Sequence, residues 1–169
     1  QAAARPAARH GRLAERIEAG ELARPDFVVL PKNSTDINPY SDSTTGQLVA
    51  SAVQRIGVPA LVGVILAGPG VDERQTASLW WDPVAGELSR YIKRGIVPFG
   101  EWLPLRSLLL PIVPELQYVG EQSVPGTEPG AMPVELPDGR TTTLGIMVCY
   151  DLVYDDFAYD TVTHGGQVI

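Results

Sequence analysis

The segment "PALVGVIL", residues 59–66, carries no charged side chain, and the turn residues Gly68, Pro69 and Gly70 follow it closely. An apolar run of this length between turn signals is typical of a strand that is buried on both faces of a sheet. The segments "DFVVL" at 26–30 and "LGIMV" at 144–148 have the same character. A chain with three such runs, widely spaced, must bury a sheet between covering layers.

The segments between these runs predict the covering layers and a hairpin. Residues 44–57 form an amphipathic pattern that ends at Gly57, a natural helix C-cap. Residues 75–82 and 87–93 are predicted to pair as a hairpin, and residues 150–164 to form a helix before a last strand. Leu13 and Ile17, four positions apart, favour a helix within residues 2–20. This alternation predicts an α/β layered fold with a mixed sheet.

Composition excludes several classes of function. The 169 residues carry a formal net charge of −7 and no basic stripe, which argues against nucleic acid as a partner. No apolar stretch reaches the roughly 20 residues that a membrane helix needs. Cys149 is the only cysteine, so an internal disulfide is impossible. His10 and His164 lack ligand partners at suitable spacing, so we expect no metal site and no cofactor.

Cys149 follows the apolar run at 144–148 and precedes the predicted helix. A thiol at such a turn lies near the N–H groups of a helix N-terminus, which favour the thiolate and form an oxyanion hole. The alternative is a small buried side chain with no chemistry.

Charged residues also follow other predicted strands. Lys32 comes after "DFVVLP", and Lys93 ends the hairpin strand. Glu101 lies in a Pro- and Gly-rich stretch, residues 94–131, that lacks periodicity; loops of this length are usually functional. Taken singly, each of these three charges is as readily a solvated side chain.

Together, these segments resemble the nitrilase superfamily, and within it the bacterial apolipoprotein N-acyltransferases. "RPDFVVLPKNSTDINP" is similar to that family's W-P-E-N-S-S-D segment, and "YIKRGIVPFGEWLPLR" to its Y-x-K-x-x-x-V-P-F-G-E-x-x-P-x-R loop. "LGIMVCYDLVYDD" is similar to its nucleophile segment, and "VPGTEPG" to a loop of some members. The resemblance implies a nitrilase-type αββα sandwich with a mixed β-sheet. It also implies one partial domain over 1–169, incomplete at both ends, without the first strand and the C-terminal part.

The resemblance also implies a Glu-Lys-Cys triad. Cys149 would be the nucleophile that takes an acyl chain from a phospholipid and passes it, through a thioester, to the N-terminal cysteine of a diacylated lipoprotein. Lys93 would stabilise the oxyanion, and Glu101 would be a supporting carboxylate. Tyr150 and Asp151 would flank the substrate beside the nucleophile. The implied location is the extracytoplasmic face of the bacterial inner membrane, as part of a longer membrane protein.

Lys32 departs from the family pattern, because it occupies the position of the family's general-base glutamate. An ammonium group has no lone pair with which to accept the thiol proton, so we expect impaired turnover. One alternative is that a neutral Lys32 acts as the base. Another is that Lys32 merely reaches to solvent.

The segment 102–112 is apolar outside any predicted regular structure. Exposed, it would face the membrane surface and the acyl chain, with Trp102 and Leu105 binding substrate; buried, it would belong to the core. Charge is sparse in the segment, so we predict that it is exposed. The apolar residues concerned are Trp102, Leu103, Leu105, Leu108, Leu109, Leu110 and Ile112. Two other functions remain open: a soluble nitrilase-like amidase, and a catalytically silent homologue.

Overall fold

The computed structural model describes residues 13–169. His10 and the first half of the predicted N-terminal helix lie outside the described residues. Residues 13–18 are helical (α1), and Ala14 packs with Ile56 and Val58 in a small cluster at the end of the next helix.

The larger sheet follows from the hairpin and from the buried run at 59–66. Its strands are β1 (Val28–Thr35), β2 (Ala60–Ala67), β3 (Glu73–Asp82), β4 (Gly86–Ile92) and the short β5 (Gln122–Ser123). The order is β1-β2-β3-β4, and β5 pairs with β3. The β1/β2 and β3/β5 pairs are parallel and the others antiparallel, so the sheet is mixed.

A second, smaller sheet consists of β6 (Ala131–Glu135) and β7 (Thr141–Gly145), which pair antiparallel. The turn between them contains Gly139 with φ of 82°, a conformation that glycine adopts without strain. After the last helix the chain returns beside β7, where Val168 pairs with Leu144 in parallel. This return agrees with the predicted last strand.

Two long helices accompany the sheets: α2 (Ser43–Ile56) and α4 (Asp155–Thr163). Asp42 caps the N-terminus of helix α2, where its carboxylate accepts from the Thr45 N–H at 2.6 Å. Gly57, with φ of 75°, caps the C-terminus. Val49, Val53 and Ile56 form the buried face of the helix, which agrees with the predicted amphipathic pattern, whereas Leu48 is exposed.

Alternate residues of the larger sheet face two different cores. One core packs α2 against one face, where Val53, Val62 and Leu79 are fully buried. The other lies between the two sheets, around Trp80, Leu144 and Ile146. This alternation follows from the period of two along a strand. The mixed sheet thus lies between a helical layer and a second sheet, in agreement with the predicted layered α/β arrangement.

Some predicted boundaries were wrong. The strand expected to run to Val148 ends at Gly145, because Ile146 N–H bonds to Gly130 and Val148 N–H to the Asp151 carboxylate rather than to a neighbouring strand. The single helix predicted over 150–164 is a 3₁₀ turn, Cys149–Val153, followed by α4, because Tyr154 between them is extended. The stretch 94–131 also contains a short α3 (Arg106–Leu109) and a 3₁₀ helix, Pro114–Val119.

Candidate active site

Lys32 projects from an irregularity in β1. Leu30 pairs with Val62 and Thr35 with Val64, so residues 31–34 pass opposite the single residue Gly63. A β-carbon on Gly63 would lie 2.4 Å from the Pro31 carbonyl oxygen and 2.8 Å from the Lys32 α-carbon. The bulge therefore requires glycine at this point of β2, and it sets the position of Lys32.

Glu101 joins the two lysines that the sequence singled out. Lys32 Nζ donates to Glu101 Oε1 at 2.7 Å, and Lys93 Nζ donates to Glu101 Oε2. The Lys93 side chain is fully buried, whereas that of Lys32 is 30% exposed. The cluster thus holds two ammonium groups around one carboxylate, a formal charge of +1.

Glu101 is held as a carboxylate. Burial opposes its charge, but hydrogen bonds from Lys32, Lys93 and the Val97 N–H together outweigh burial and lower the pKa of Glu101 to about 2. With lone pairs on both oxygens engaged by donors and a pKa this low, Glu101 is not a proton acceptor near neutral pH.

Cys149 begins the 3₁₀ turn in a strained conformation. Its φ is 56°, in the left-handed region that residues with a β-carbon rarely adopt. The side chain is exposed, so the alternative of a buried structural cysteine does not describe it. Backbone strain of this kind persists only where the surroundings enforce it, and it is concentrated at functional sites.

Lys32 and Cys149 line the same cavity, which has a volume of about 390 Å³. Most of its other walls are apolar, with side chains from β1, β2, the 144–148 segment and the chain's last residues. Among them are Phe27, Leu61, Ile146, Val148 and Ile169. Lys93 is not part of this lining, and it connects to the cavity through Glu101 and Lys32. The arrangement presents one cation and one thiol to an otherwise apolar space.

The four residues predicted to bind substrate lie elsewhere than in the lining of this cavity. Asp151 is fully buried, and Tyr150 packs edge-on against Tyr154 with ring centroids 5.5 Å apart. Trp102 lines a second cavity of about 480 Å³, and Leu105 lines neither cavity. Their roles toward substrate stay predictions.

The apolar segment 102–112 is largely exposed, with one correction. Leu103 is buried, because the chain turns inward there and its N–H donates to the Gln122 side chain at 2.8 Å. Leu105 is 72% and Ile112 68% exposed, and Trp102 and Leu108 are also exposed. We call these four residues the apolar loop patch.

Three residues of the site received no role from the sequence: Gly63, Tyr91, which is only the first position of the Y-x-K motif, and Gly95. A glycine inside an apolar strand signals a bulge or a close approach of another backbone, so Gly63 was detectable. Tyr91 and Gly95 stand two residues before and two after Lys93, and both donate to Asp151. Their roles depend on Asp151, which lies 60 positions after Tyr91 and 56 after Gly95, a relationship that sequence spacing does not reveal.

The predictions about histidine, metal binding and membrane helices can be compared with residues 13–169. His164 caps the end of α4, where its Nδ1 lies 2.8 Å from the Asp160 carbonyl oxygen. Within residues 13–169, no three His, Cys, Asp or Glu side chains come together as a metal site would require. Over the same residues, no helix is both long and apolar enough to cross a bilayer.

Comparison with known proteins gives two kinds of relative. The chain is 30% identical over 162 residues to the apolipoprotein N-acyltransferase of Mycolicibacterium smegmatis, covering 94% of this chain and 26% of that protein. It is 28% identical over 118 residues to the apolipoprotein N-acyltransferase of Synechocystis, covering 70% of this chain and 21% of that protein. The chain thus spans about a quarter of the length of these curated relatives. No protein-family model matches it.

Solved structures support the fold. An amidase of the nitrilase superfamily from Nesterenkonia, in mutant form, superposes with a TM-score of 0.63 at 13% identity, over 98% of this chain and 57% of that one. Another crystal structure of an amidase from Nesterenkonia gives a TM-score of 0.61 at 14% identity, over the same shares of the two chains. At this identity the likeness concerns the fold alone, and it confirms the predicted nitrilase-type αββα fold with a mixed sheet. The two comparisons confirm the resemblance that the motifs indicated.

Proposed function

We propose, on the premise that this chain belongs to the apolipoprotein N-acyltransferases of the nitrilase superfamily, that it carries the acyl-transfer site of a longer enzyme. The donor would be a phospholipid and the acceptor a diacylated lipoprotein. The acyl transfer would take place at the outer face of the bacterial plasma membrane. The observation that carries the proposal is that Cys149 and Lys32 share one apolar cavity, with Lys93 tied to it through Glu101.

In the proposed reaction, the Cys149 sulfur attacks the ester carbonyl carbon of the phospholipid and a C–S bond forms. The carbonyl oxygen becomes an oxyanion, which the positive Lys32–Glu101–Lys93 cluster stabilises. The ester C–O bond then breaks, and the departing alkoxide takes a proton. In a second step the amine of the acceptor cysteine attacks the thioester carbonyl carbon. An amide C–N bond forms, the C–S bond breaks, and the proton lost by the amine restores the thiol of Cys149.

Proton transfer is the step that this chain performs poorly. The thiol must lose a proton to a base, and the leaving alkoxide must gain one. Lys32 Nζ is a hydrogen-bond donor to Glu101 and an ammonium group has no lone pair to accept a proton, and Glu101 has a pKa of about 2. Neither group takes a proton from Cys149 near neutral pH, so we propose that turnover is slow.

The same contacts favour a second candidate function, a catalytically silent homologue. An ion cluster that engages both oxygens of Glu101 leaves Cys149 without a basic partner among the side chains that line the cavity. A silent member would keep the cavity and the apolar loop patch and would bind lipid without transferring its acyl chain. The amidase alternative is supported only by the similarity in fold to the Nesterenkonia amidases, and no contact in the described site favours it.

The test is detection of an acyl thioester on Cys149. The protein is incubated with vesicles of phosphatidylethanolamine and phosphatidylglycerol and then digested. The mass of the peptide that contains Cys149 is measured by mass spectrometry before and after treatment with hydroxylamine. We expect a hydroxylamine-sensitive acyl adduct that accumulates slowly, and none in a Cys149→Ala variant. Release of ammonia from simple amides, measured in parallel, tests the amidase.

The outcomes separate the candidates. An adduct in the parent chain supports the acyltransferase site. An adduct only after Lys32→Glu supports the silent homologue. Absence of an adduct from both, in samples that bind the vesicles, contradicts the proposal that Cys149 is an acyl-accepting nucleophile.

A further inference from the structure

We infer that Tyr91 is a positioning residue of the candidate active site, which acts through the buried carboxylate of Asp151 to hold the turn that carries Cys149. The inference rests on the proposed function only in naming Cys149 as the reacting group. The side chains of Tyr91 and Asp151, on which it depends, are not part of the lining of the cavity shared by Cys149 and Lys32.

Asp151 is the point at which three segments meet. Its Oδ2 accepts from the Tyr91 hydroxyl on β4 at 2.9 Å and from the Val148 N–H, just before Cys149, at 2.9 Å. Its Oδ1 accepts from the N–H groups of Arg94 and Gly95, just after Lys93. The side chain is fully buried. One carboxylate therefore links the end of the Lys93 strand to both sides of the nucleophile.

The Tyr91 hydroxyl is the one side-chain donor in this set, since the other three are backbone N–H groups. Burial, and then the negative charge of Asp151, raise the pKa of Tyr91 well above its ordinary value. The hydroxyl consequently stays protonated and donates throughout the pH range in which a thiol reacts. A buried carboxylate that accepts from several donors is held firmly in place, because the loss of any donor leaves part of its desolvation penalty uncompensated.

Gly95 shows how closely the segments approach. A β-carbon there would lie 2.9 Å from Asp151 Oδ1 and 3.1 Å from both the Asp151 nitrogen and the Tyr150 carbonyl oxygen. Arg94 provides a second connection. Its guanidinium group forms an ion pair with Asp160 of α4, and its Cζ lies 4.2 Å from the centroid of the Phe157 ring. The loop after Lys93 and the turn of Cys149 are thus fixed to each other on two sides.

This linkage accounts for the strained Cys149. A residue with φ of 56° relaxes unless its neighbours are held, and the Asp151 bonds hold the residue before Cys149 and the residue two after it. Tyr91 connects this anchor to strand β4, which ends one residue before Lys93. Loss of its hydroxyl should therefore loosen the Cys149 turn relative to Lys93 without removing any group from the cavity.

The experiment measures alkylation of Cys149 by iodoacetamide, which is unambiguous because the chain has one cysteine. Variants are Tyr91→Phe, Asp151→Asn and their combination, with Tyr159→Phe on the exposed surface of α4 as the matched control. We expect Tyr91→Phe to slow alkylation by about threefold or more, because a thiol's reactivity depends on its surroundings. We expect Tyr159→Phe to leave the rate unchanged. Circular dichroism establishes that each variant is folded.

The combination distinguishes positioning from a general loss of stability. If Tyr91 acts through Asp151, the double variant should alkylate no more slowly than Asp151→Asn alone. Gly95→Ala supplies a second perturbation should Asp151→Asn not fold, and it should slow alkylation in the same direction. Independent, additive effects, or a folded Tyr91→Phe variant that alkylates at the parent rate, would overturn the inference.

A second readout tests the reaction itself. In a Lys32→Glu background, Tyr91→Phe should lower kcat for acyl transfer by about ten- to a hundredfold with little change in KM, as misplacement of reacting groups does. An unchanged kcat in that background would also overturn the inference. If no variant transfers acyl chains while the alkylation differences persist, the proposed function fails and the positioning role stands.

Discussion

The ammonium nitrogen of Lys32 lies 2.7 Å from a carboxylate oxygen of Glu101, across 69 positions of sequence. The contact joins the bulge of β1 to the loop after β4, and it determines what chemistry the cavity supports. In the proposed reaction, Lys32 would stabilise negative charge near Cys149, and its ammonium group, a donor to Glu101, would offer no lone pair to the thiol proton.

The first prediction concerns the substitution Lys32→Glu. It places a carboxylate in the cavity with Cys149 and leaves Glu101 bonded to Lys93, so a proton acceptor becomes available. We expect acyl transfer from phospholipid to rise by about two to four orders of magnitude, the usual contribution of a positioned acid–base group. The measurement is the rate of thioester formation and of transfer to a lipopeptide, across pH.

Lys32→Gln is the matched control, because it removes the ammonium group without adding a base. If the Gln form gains as much as the Glu form, the benefit comes from loss of the cation and not from base catalysis. If the parent already turns over as fast as the Glu form, Lys32 itself acts as the base in its neutral form.

The second prediction concerns Glu101→Gln. Lys93 is fully buried, and the substitution leaves its ammonium without a counter-charge, so we expect a loss of about 3–5 kcal/mol in the free energy of unfolding at pH 7. The change should be measured by urea denaturation. Glu115→Gln, at an exposed site on the 3₁₀ helix, should have almost no effect.

The lowered pKa of Glu101 also predicts how the stability of the parent and of these two variants depends on pH. The pKa of Glu101 is lowered from 4.5 to about 2 in the folded chain. Its contribution is therefore complete above pH 4.5 and is lost as the pH falls toward 2. The parent and Glu115→Gln should lose stability across this window more steeply than Glu101→Gln. Parallel curves for all three proteins would contradict the assignment.

Local signals predicted the fold well, and long-range contacts explain what they missed. Helix α2 was predictable because its C-cap, Gly57, is adjacent in sequence, and the buried run at 59–66 specified β2 through its own composition. The Lys32–Glu101–Lys93 cluster was not, because Glu101 lies in a loop without periodicity. Sequence motifs marked all three residues without indicating that one carboxylate bonds both lysines.

The errors at Leu103 and Gly145 have a similar origin. Leu103 was assigned to the exposed patch by composition, but its N–H bonds to Gln122, far along the chain, and the residue turns inward. The strand that ends at Gly145 was predicted to continue because Ile146 and Val148 are apolar. The Ile146 N–H instead bonds to Gly130, which the tertiary structure brings near, and the Val148 N–H bonds to the Asp151 carboxylate three residues later, a local cap that ends the strand.

The third prediction concerns Gly63→Ala. The added β-carbon would meet two backbone groups of the β1 bulge, and neither can move without shifting Lys32. We expect a loss of about 1–3 kcal/mol in the free energy of unfolding, the range of overpacked cores. The control is Gly70→Ala, where the nearest atoms belong to the flexible end of the Glu73 side chain. Equal thermal stability of the two variants would show that the bulge is not closely packed on Gly63.

The last prediction concerns the apolar loop patch. If it faces the membrane, replacing Leu105 and Ile112 together by Gln should weaken binding to phospholipid vesicles by roughly tenfold or more, because each buried leucine-sized side chain contributes about 1.5–3 kcal/mol. Val71 and Val84 are also highly exposed but lie on other turns, so replacing both by Gln is the matched control for lost apolar surface. Vesicle co-sedimentation at high salt isolates the apolar contribution from charge attraction. Equal losses in the two double variants, or none in either, would mean that the patch is not the membrane-facing surface.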